Sequence, residues 1–431
     1  MISFLPSKNF NSILINSLKE IPFRGGINFE NKKDDFSFEN KNINKIPFIK
    51  RGIIKEDENI NTFFDKISNE IFLDETKAKN FSTLLKEGAI TLSSNAYSNL
   101  KKPQSAIGLK LNPFNKEENF KKIDEAISNG LGIGINFRDF DNPIQEIKKI
   151  NSYLKQKENS LKRPPAIIAL LDVYNKDVFN FITLKDNEDY SDWCFDLSII
   201  LDNDFLEKVE KNKPITLSNG QMVPARKIYQ TLLNSMLKKG EPAVIFSNDK
   251  NYLCDCCAAK ELKENETFTI GQVNLSKFYD EKTSDFNYQY LNYATDYLST
   301  ALKNLDNSAC IGVLGYAELL DKMNLKYGSK KANELLRKIL QEIKKSSNGL
   351  NLAISPTGTT SRILKTTPSI EPNKKVDLIV ELETLKIAQE NIDYSISKTI
   401  ILDENSTKDD INKIIQFCYQ NKIKGISVFK P

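Results

Sequence analysis

Short apolar runs recur along this chain, and amphipathic stretches separate them. The runs are "IGINF" (133–137), "AIIALL" (166–171), "DLSIIL" (196–201), "AVIF" (243–246), "LAIS" (352–355), "VDLIVEL" (376–382) and "GISVF" (425–429). Each is short enough to be a strand and too continuously apolar to leave one face in water. Between them, Ile228, Tyr229, Leu232, Leu233, Met236 and Leu237 mark a helical stripe. Tyr290, Tyr293, Ala294, Tyr297, Leu298, Ala301, Leu302 and Leu305 mark a second, and Ala332, Leu335, Leu336, Ile339, Leu340 and Ile343 a third. Strands buried on both faces and alternating with helices predict an α/β fold with a mostly parallel sheet or barrel. The Tyr and Leu stripes read as core packing. Residues 1–56 read as an irregular N-terminal arm; Ile60, Phe63, Phe64, Ile67 and Ile71 begin a short helical lead-in (57–90) to a domain that runs to 431.

Composition narrows the chemistry. The 431 residues contain no histidine, so a Ser-His-Asp triad, a Cys-His pair and a His-ligated zinc are all excluded. The formal net charge of +4 is spread among mixed lysines and acids, which argues against a nucleic-acid partner. No run approaches the roughly 20 apolar residues of a membrane span, so no membrane partner is expected. The N-terminus lacks the basic and apolar regions of a secretory signal, and the six cysteines read as reduced thiols of a cytoplasmic protein.

Two segments carry candidate chemistry. "NLAISPTGTTSRIL" places Pro356, Thr357, Gly358, Thr359, Thr360 and Ser361 between a strand and a helix start. Such a junction offers backbone N–H groups and hydroxyls to an anion; a capped helix after a Pro turn is the plainer reading. "CDCC" holds Cys254, Asp255, Cys256 and Cys257. Three thiols in four residues suit a metal claw, a working thiol with neighbours, or small apolar side chains in a core. A structural zinc site needs a fourth ligand, and none is supplied nearby, so no metal is expected. In "GLGIGINF", Gly130, Gly132 and Gly134 do not follow the dinucleotide fingerprint and read instead as close backbone packing.

Taken in order, several segments resemble the catalytic large chain of ribonucleotide reductases, most closely the adenosylcobalamin-dependent class II enzymes. They are "SNGLGIGINF", "KRPPAIIALLDVYNKDVFNFITLKD", "GEPAVIF", "GQVNLSKF", "CIGVLGYAELL", "ISPTGTTSRILKTTPSIEP" and "SISKTIILDENSTKDDINKIIQFCYQNKIKGISVFKP". The resemblance covers roughly residues 60–431. It implies a ten-stranded α/β barrel with a central finger loop, and reduction of ribonucleotides to deoxyribonucleotides by a finger-loop thiyl radical. It gives residues 356–361 the substrate's phosphates. It puts Cys257 at the radical position and Asp255 at the family's asparagine; a shifted alignment would choose Cys254. Adenosylcobalamin is the cofactor it implies and a nucleotide the ligand. A homodimer is left open, and a small radical subunit is not expected.

The chain also departs from the family pattern. The catalytic glutamate aligns with Ala259, and the two redox cysteines align with Ser105-Ala106-Ile107 and with Phe268. The effector segment is replaced by "LNPFNKEENF", the tyrosine pair of a radical relay by "GISVF", and no cysteine-bearing tail or ATP-cone pattern is expected. Cys256 or Cys254 is then the candidate substitute reductant. The alternative is a catalytically degenerate barrel that binds a nucleotide or another phosphate ligand and acts as a pseudoenzyme or regulator.

Overall fold

The computed structural model describes residues 42–157, 165–186 and 192–430. The strands form at the apolar runs. In chain order the ones that matter here are β1 (Ile90–Leu92), β2 (Ala106–Gly108), β3 (Gly132–Asn136), β4 (Ile167–Asp172), β5 (Phe195–Leu201), β6 (Ala243–Phe246), β7 (Thr267–Phe268), β8 (Ile270–Asn274), β9 (Cys310–Leu314), β10 (Asn351–Leu352), β11 (Thr399–Ile401) and β12 (Gly425–Phe429). An eight-stranded sheet has the order β7-β2-β3-β4-β5-β6-β12-β11, and a four-stranded sheet the order β1-β8-β9-β10. Strands β2 to β6 run parallel; β12 turns antiparallel to β6, and β11 is parallel to β12. Every residue of β4 is buried, as its unbroken apolar run requires.

The two sheets are stitched at two places. Strand β7 pairs with β2 in the first sheet, and one residue later β8 pairs with β9 in the second. On the other side Ile354, just past β10, bridges Ile396, just before β11.

The helical stripes lie where the sequence puts them, at Ile60–Ile71, Ala225–Lys239, Tyr288–Leu305 and Lys330–Ser346. Ala332, Leu336, Ile339, Leu340 and Ile343 of the last are all buried, but in Tyr288–Leu305 the expected core face is only partly so, because Tyr293 is 42% exposed. Each buried Leu or Ile contributes roughly 1.5–3 kcal/mol by leaving water. Asn59 and Ser329 cap the first and last of these helices through their side chains.

Two strand expectations need correction. "VDLIVEL" is not a strand but the start of a helix, Leu378–Gln389. Asp377 caps it by accepting from the Ile379 N–H at 2.9 Å, Glu381, Leu382, Leu385 and Ala388 are buried at helical spacing, and Ile379 points outward. "LAIS" is strand only at its first residue, within β10, and continues as the single Ile354–Ile396 bridge. Of the expected N-terminal arm, residues 1–41 lie outside the described residues. The remainder holds a short helix, Ile46–Lys50, whose Phe48 is fully buried against Phe63, Phe64 and Tyr97.

Candidate functional site

The Cys cluster forms the tip of a hairpin laid across β3. Leu253 pairs with Leu262 and Cys254 with Glu261, antiparallel. At the turn, the buried Asp255 carboxylate accepts from the Cys257 N–H at 3.1 Å and the Lys260 N–H at 2.7 Å. The Ala258 N–H reaches back to the Asp255 carbonyl at 3.0 Å, and Ala258 adopts a left-handed φ of 56°. Burial pushes the Asp255 carboxyl up to about 6, against the pull of those N–H donors. Two further ties hold the tip to the second sheet. The Ser395 N–H donates to the Ala259 carbonyl at 2.9 Å, and the buried Lys260 ammonium reaches Glu266 at 3.1 Å and the Ser308 carbonyl at 3.2 Å.

This approach to the sheet explains the glycines of "GLGIGINF". A Cβ on Gly134 would stand 1.8 Å from the Cys254 carbonyl oxygen, and one on Gly132 would stand 2.1 Å from Cys256 Sγ. Side chains at those two positions would lift the hairpin off the strand. The close-packing reading of this stretch was right.

The three thiols are not equivalent. Cys254 is fully buried, and burial pushes its pKa well above the usual thiol range. Cys256 and Cys257 are half-buried, with their sulfurs 3.6 Å apart. Their sulfurs and an Asp255 carboxylate oxygen all lie within 4.8 Å of one another.

The positions read as lost redox thiols face each other. Phe268 of β7 is the register partner of Ala106 in β2, and both join a buried apolar cluster with Ile270, Cys310 and Ala353. The wall that two thiols would occupy is therefore a methyl against a phenyl ring. Ala259 is wholly buried beside the tip. Sequence reasoning passed over Cys310, which sits in this cluster with its thiol pushed up to about 12 by burial. Only the pairing of β8 with β9 brings it there, and no local pattern reports that.

The hydroxyl-rich segment forms a strand-to-helix turn as expected. Its helix is Gly358–Leu364, preceded by Thr357 with a left-handed φ of 51°. The Ser369 N–H donates to Thr357 Oγ1 at 2.8 Å and so holds this unfavourable conformation in place. Thr360 and Ser361 turn their hydroxyls back onto the carbonyls of Thr357 and Gly358, both at 3.1 Å. Pro356 and Gly358 are half-exposed, as is Thr359, whose hydroxyl accepts from the Arg51 guanidinium at 2.7 Å. Arg51 also reaches Ser94 Oγ at 2.5 Å. It is a cation at this turn that sequence reasoning missed, because it comes from a segment read as irregular.

A series of contacts runs from this turn toward the thiols. Ser94 begins the helix Ser94–Ser98, and the side chain of the next residue, Asn95, donates to the Gly130 carbonyl at 2.8 Å. Gly130 leads into β3, whose first residue, Gly132, lies under Cys256. Side-chain contacts through Arg51, Ser94 and Asn95 thus link the hydroxyl turn to the segment that leads into β3, where the hairpin tip lies. A cleft of about 740 Å³ lies at the hairpin's base instead, lined by Asn136, Arg138, Lys250, Leu253 and Glu261 among others.

The profile described as "Ribonucleotide reductase, barrel domain" matches residues 129–349, just over half of the 431. The vitamin B12-dependent ribonucleoside-diphosphate reductase of Thermoplasma acidophilum is 24% identical in an alignment 274 positions long that covers 49% of this chain and 36% of that protein. The protein of the same description from Mycobacterium tuberculosis is 21% identical in an alignment 392 positions long that covers 62% of this chain and 57% of that protein. The aligned region thus spans between about a third and just over half of these relatives' lengths.

Proposed function

The chain belongs to the ribonucleotide reductase family through its barrel domain, and on that premise we propose that it binds a ribonucleotide at residues 356–361 and reduces it through a thiyl radical on Cys257. The observation that carries this reading is the hairpin tip seated on Gly132 and Gly134, with two half-buried thiols at the end of β3 that Arg51, Ser94 and Asn95 link to the hydroxyl turn. Exposure favours Cys257 over the fully buried Cys254 as the thiol that meets substrate. On this reading ten of the twelve strands in the two stitched sheets close into one barrel around the hairpin. The β7-to-β8 step and the Ile354–Ile396 bridge support that closure.

The proposed division of labour follows from the side chains. Arg51, Thr359 and the N–H groups of the turn hold the phosphates. Cys257 as a thiyl takes the ribose 3′-hydrogen; S–H and ribose C–H bonds are close in strength, so the transfer is nearly balanced and reversible. Reduction then consumes two electrons and two protons, releases the 2′-hydroxyl as water and leaves a disulfide. With Ala106 and Phe268 at the family's redox positions, those two electrons must come from Cys254 and Cys256 together, oxidised to one disulfide, or from a dissolved dithiol. Adenosylcobalamin is the cofactor this reading takes, and it would supply the radical when bound. Its fit rests on the half-exposure of Cys256 and Cys257, the residues that would face it.

A second reading has its own observation. Ala259, Ala106 and Phe268 leave an apolar wall where a base and two thiols would act. That wall suits a protein that binds a nucleotide without turning it over.

Thermal unfolding with ribonucleoside di- and triphosphates tests the binding that both readings share. A ligand at about 100 times its Kd stabilises by about 2.7 kcal/mol. Both phosphates should raise Tm, the unphosphorylated nucleoside should not, and Thr359→Ala should reduce the rise. A flat response to both phosphates would sink both readings.

A further inference from the structure

We propose that Asp255, Cys256 and Cys257 form a binding site for a thiophilic divalent cation of the zinc type. On the functional reading above, the ion and the radical then compete for the Cys257 sulfur.

Two thiolates bound at about 2.3 Å to a tetrahedral zinc stand about 3.8 Å apart. Cys256 Sγ and Cys257 Sγ are already 3.6 Å apart. A disulfide needs about 2.05 Å, a closure of roughly 1.5 Å. The turn resists that closure. The Cys257 N–H and the Lys260 N–H are both pinned to the Asp255 carboxylate, and Cys256 Sγ lies where a Cβ on Gly132 would be. The separation is that of an S–H···S contact, from which a chelate needs a shift of about 0.2 Å and a disulfide one of about 1.5 Å.

The third donor is the Asp255 carboxylate, with an oxygen within 4.8 Å of both sulfurs. It is buried at the tip, and a cation beside it would offset the cost of burying its charge. Both thiols are half-exposed, so an ion can enter from solvent, and water would fill the fourth position. Binding exchanges two thiol protons for one divalent ion, M²⁺ plus two R–SH giving M(SR)₂ plus two H⁺. No electrons move, so no oxidant is required. A sulfur held as a metal thiolate carries no S–H hydrogen and is not available as a thiyl, which makes such an ion an inhibitor of the proposed chemistry.

The test titrates the whole chain, reduced, with Cd²⁺ and Zn²⁺, following the sulfur-to-cadmium charge-transfer band and equilibrium dialysis. One ion per chain should bind, and Cys256→Ser and Cys257→Ser should each weaken it by roughly tenfold or more. Cys194→Ser, which removes a half-buried thiol from a different part of the fold, should leave binding unchanged. Absence of stoichiometric binding to a folded wild-type chain would overturn the proposal. So would binding that survives in the Cys256→Ser/Cys257→Ser double variant. Nucleotide-induced thermal shifts are read in parallel: their loss would count against the functional reading, and loss of metal binding alone would count only against this one.

Discussion

Gly134 has a backbone carbonyl where any other residue would carry its Cβ. The intruding oxygen, that of Cys254, belongs to backbone and cannot swing aside. Gly134→Ala should therefore displace the hairpin and destabilise the chain by about 1–3 kcal/mol, seen as a lower urea midpoint. An unchanged midpoint would mean that the hairpin does not lie on β3 as described. The glycine-rich stretch was legible as close packing, but its partner is remote in sequence, so the sequence could not say what packs there. Asp255 offers a second test. Its folded pKa of about 6 exceeds the ordinary aspartate value of 3.8, so the folded state holds the proton more tightly. Stability at this residue is thus greatest at low pH and falls as pH rises from 3.8 through 6, by roughly 3 kcal/mol in all. The difference in stability between wild type and Asp255→Asn should therefore shift in favour of the variant across that window. A difference constant with pH would contradict this account of the turn.

At the scale of elements, a buried ion cluster clasps the hydroxyl turn's surroundings. Lys398, just before β11, is nearly inaccessible and pairs with Glu371 and, at 2.6 Å, with Glu381. Burial lowers the pKa of Lys398, but the two carboxylates outweigh it and hold the ammonium charged. Removing the cation leaves the nearly buried Glu381 and the partly exposed Glu371 uncompensated, so Lys398→Met should cost up to about 3 kcal/mol, the low end for a buried pair. Glu371 follows closely on Ser369, whose N–H holds Thr357, so the same variant should also weaken phosphate binding. A stable variant with intact binding would show that the cluster is dispensable. Elements with a long period were the legible ones: the stripes of Tyr288–Leu305 and Lys330–Ser346 needed no tertiary information. The start of Leu378–Gln389 misled because a short apolar run fits strand and helix alike, and the decisive signals were the Asp377 cap and the pattern continuing to Ala388. The opposition of Ala106 and Phe268 depends on the pairing of β7 with β2 across the intervening strands β3 to β6 and their helices, beyond any local pattern.

For the whole molecule, the alternation of apolar runs and helical stripes carried the α/β class, and the family resemblance carried the order of the parts, because motifs spread along the chain hold that order. What it could not carry was the content of the wall opposite the hairpin, where this chain has Ala106, Phe268 and a buried Cys310. Among the described residues no helix is long and apolar enough to cross a membrane. The most direct test incubates the reduced chain with a ribonucleoside di- or triphosphate, adenosylcobalamin and a dithiol, and quantifies deoxyribonucleotide by chromatography. The account predicts product from the wild-type chain and none from Cys257→Ser. Absence of product from a wild-type chain that binds the nucleotide, or equal product from Cys257→Ser, would contradict it.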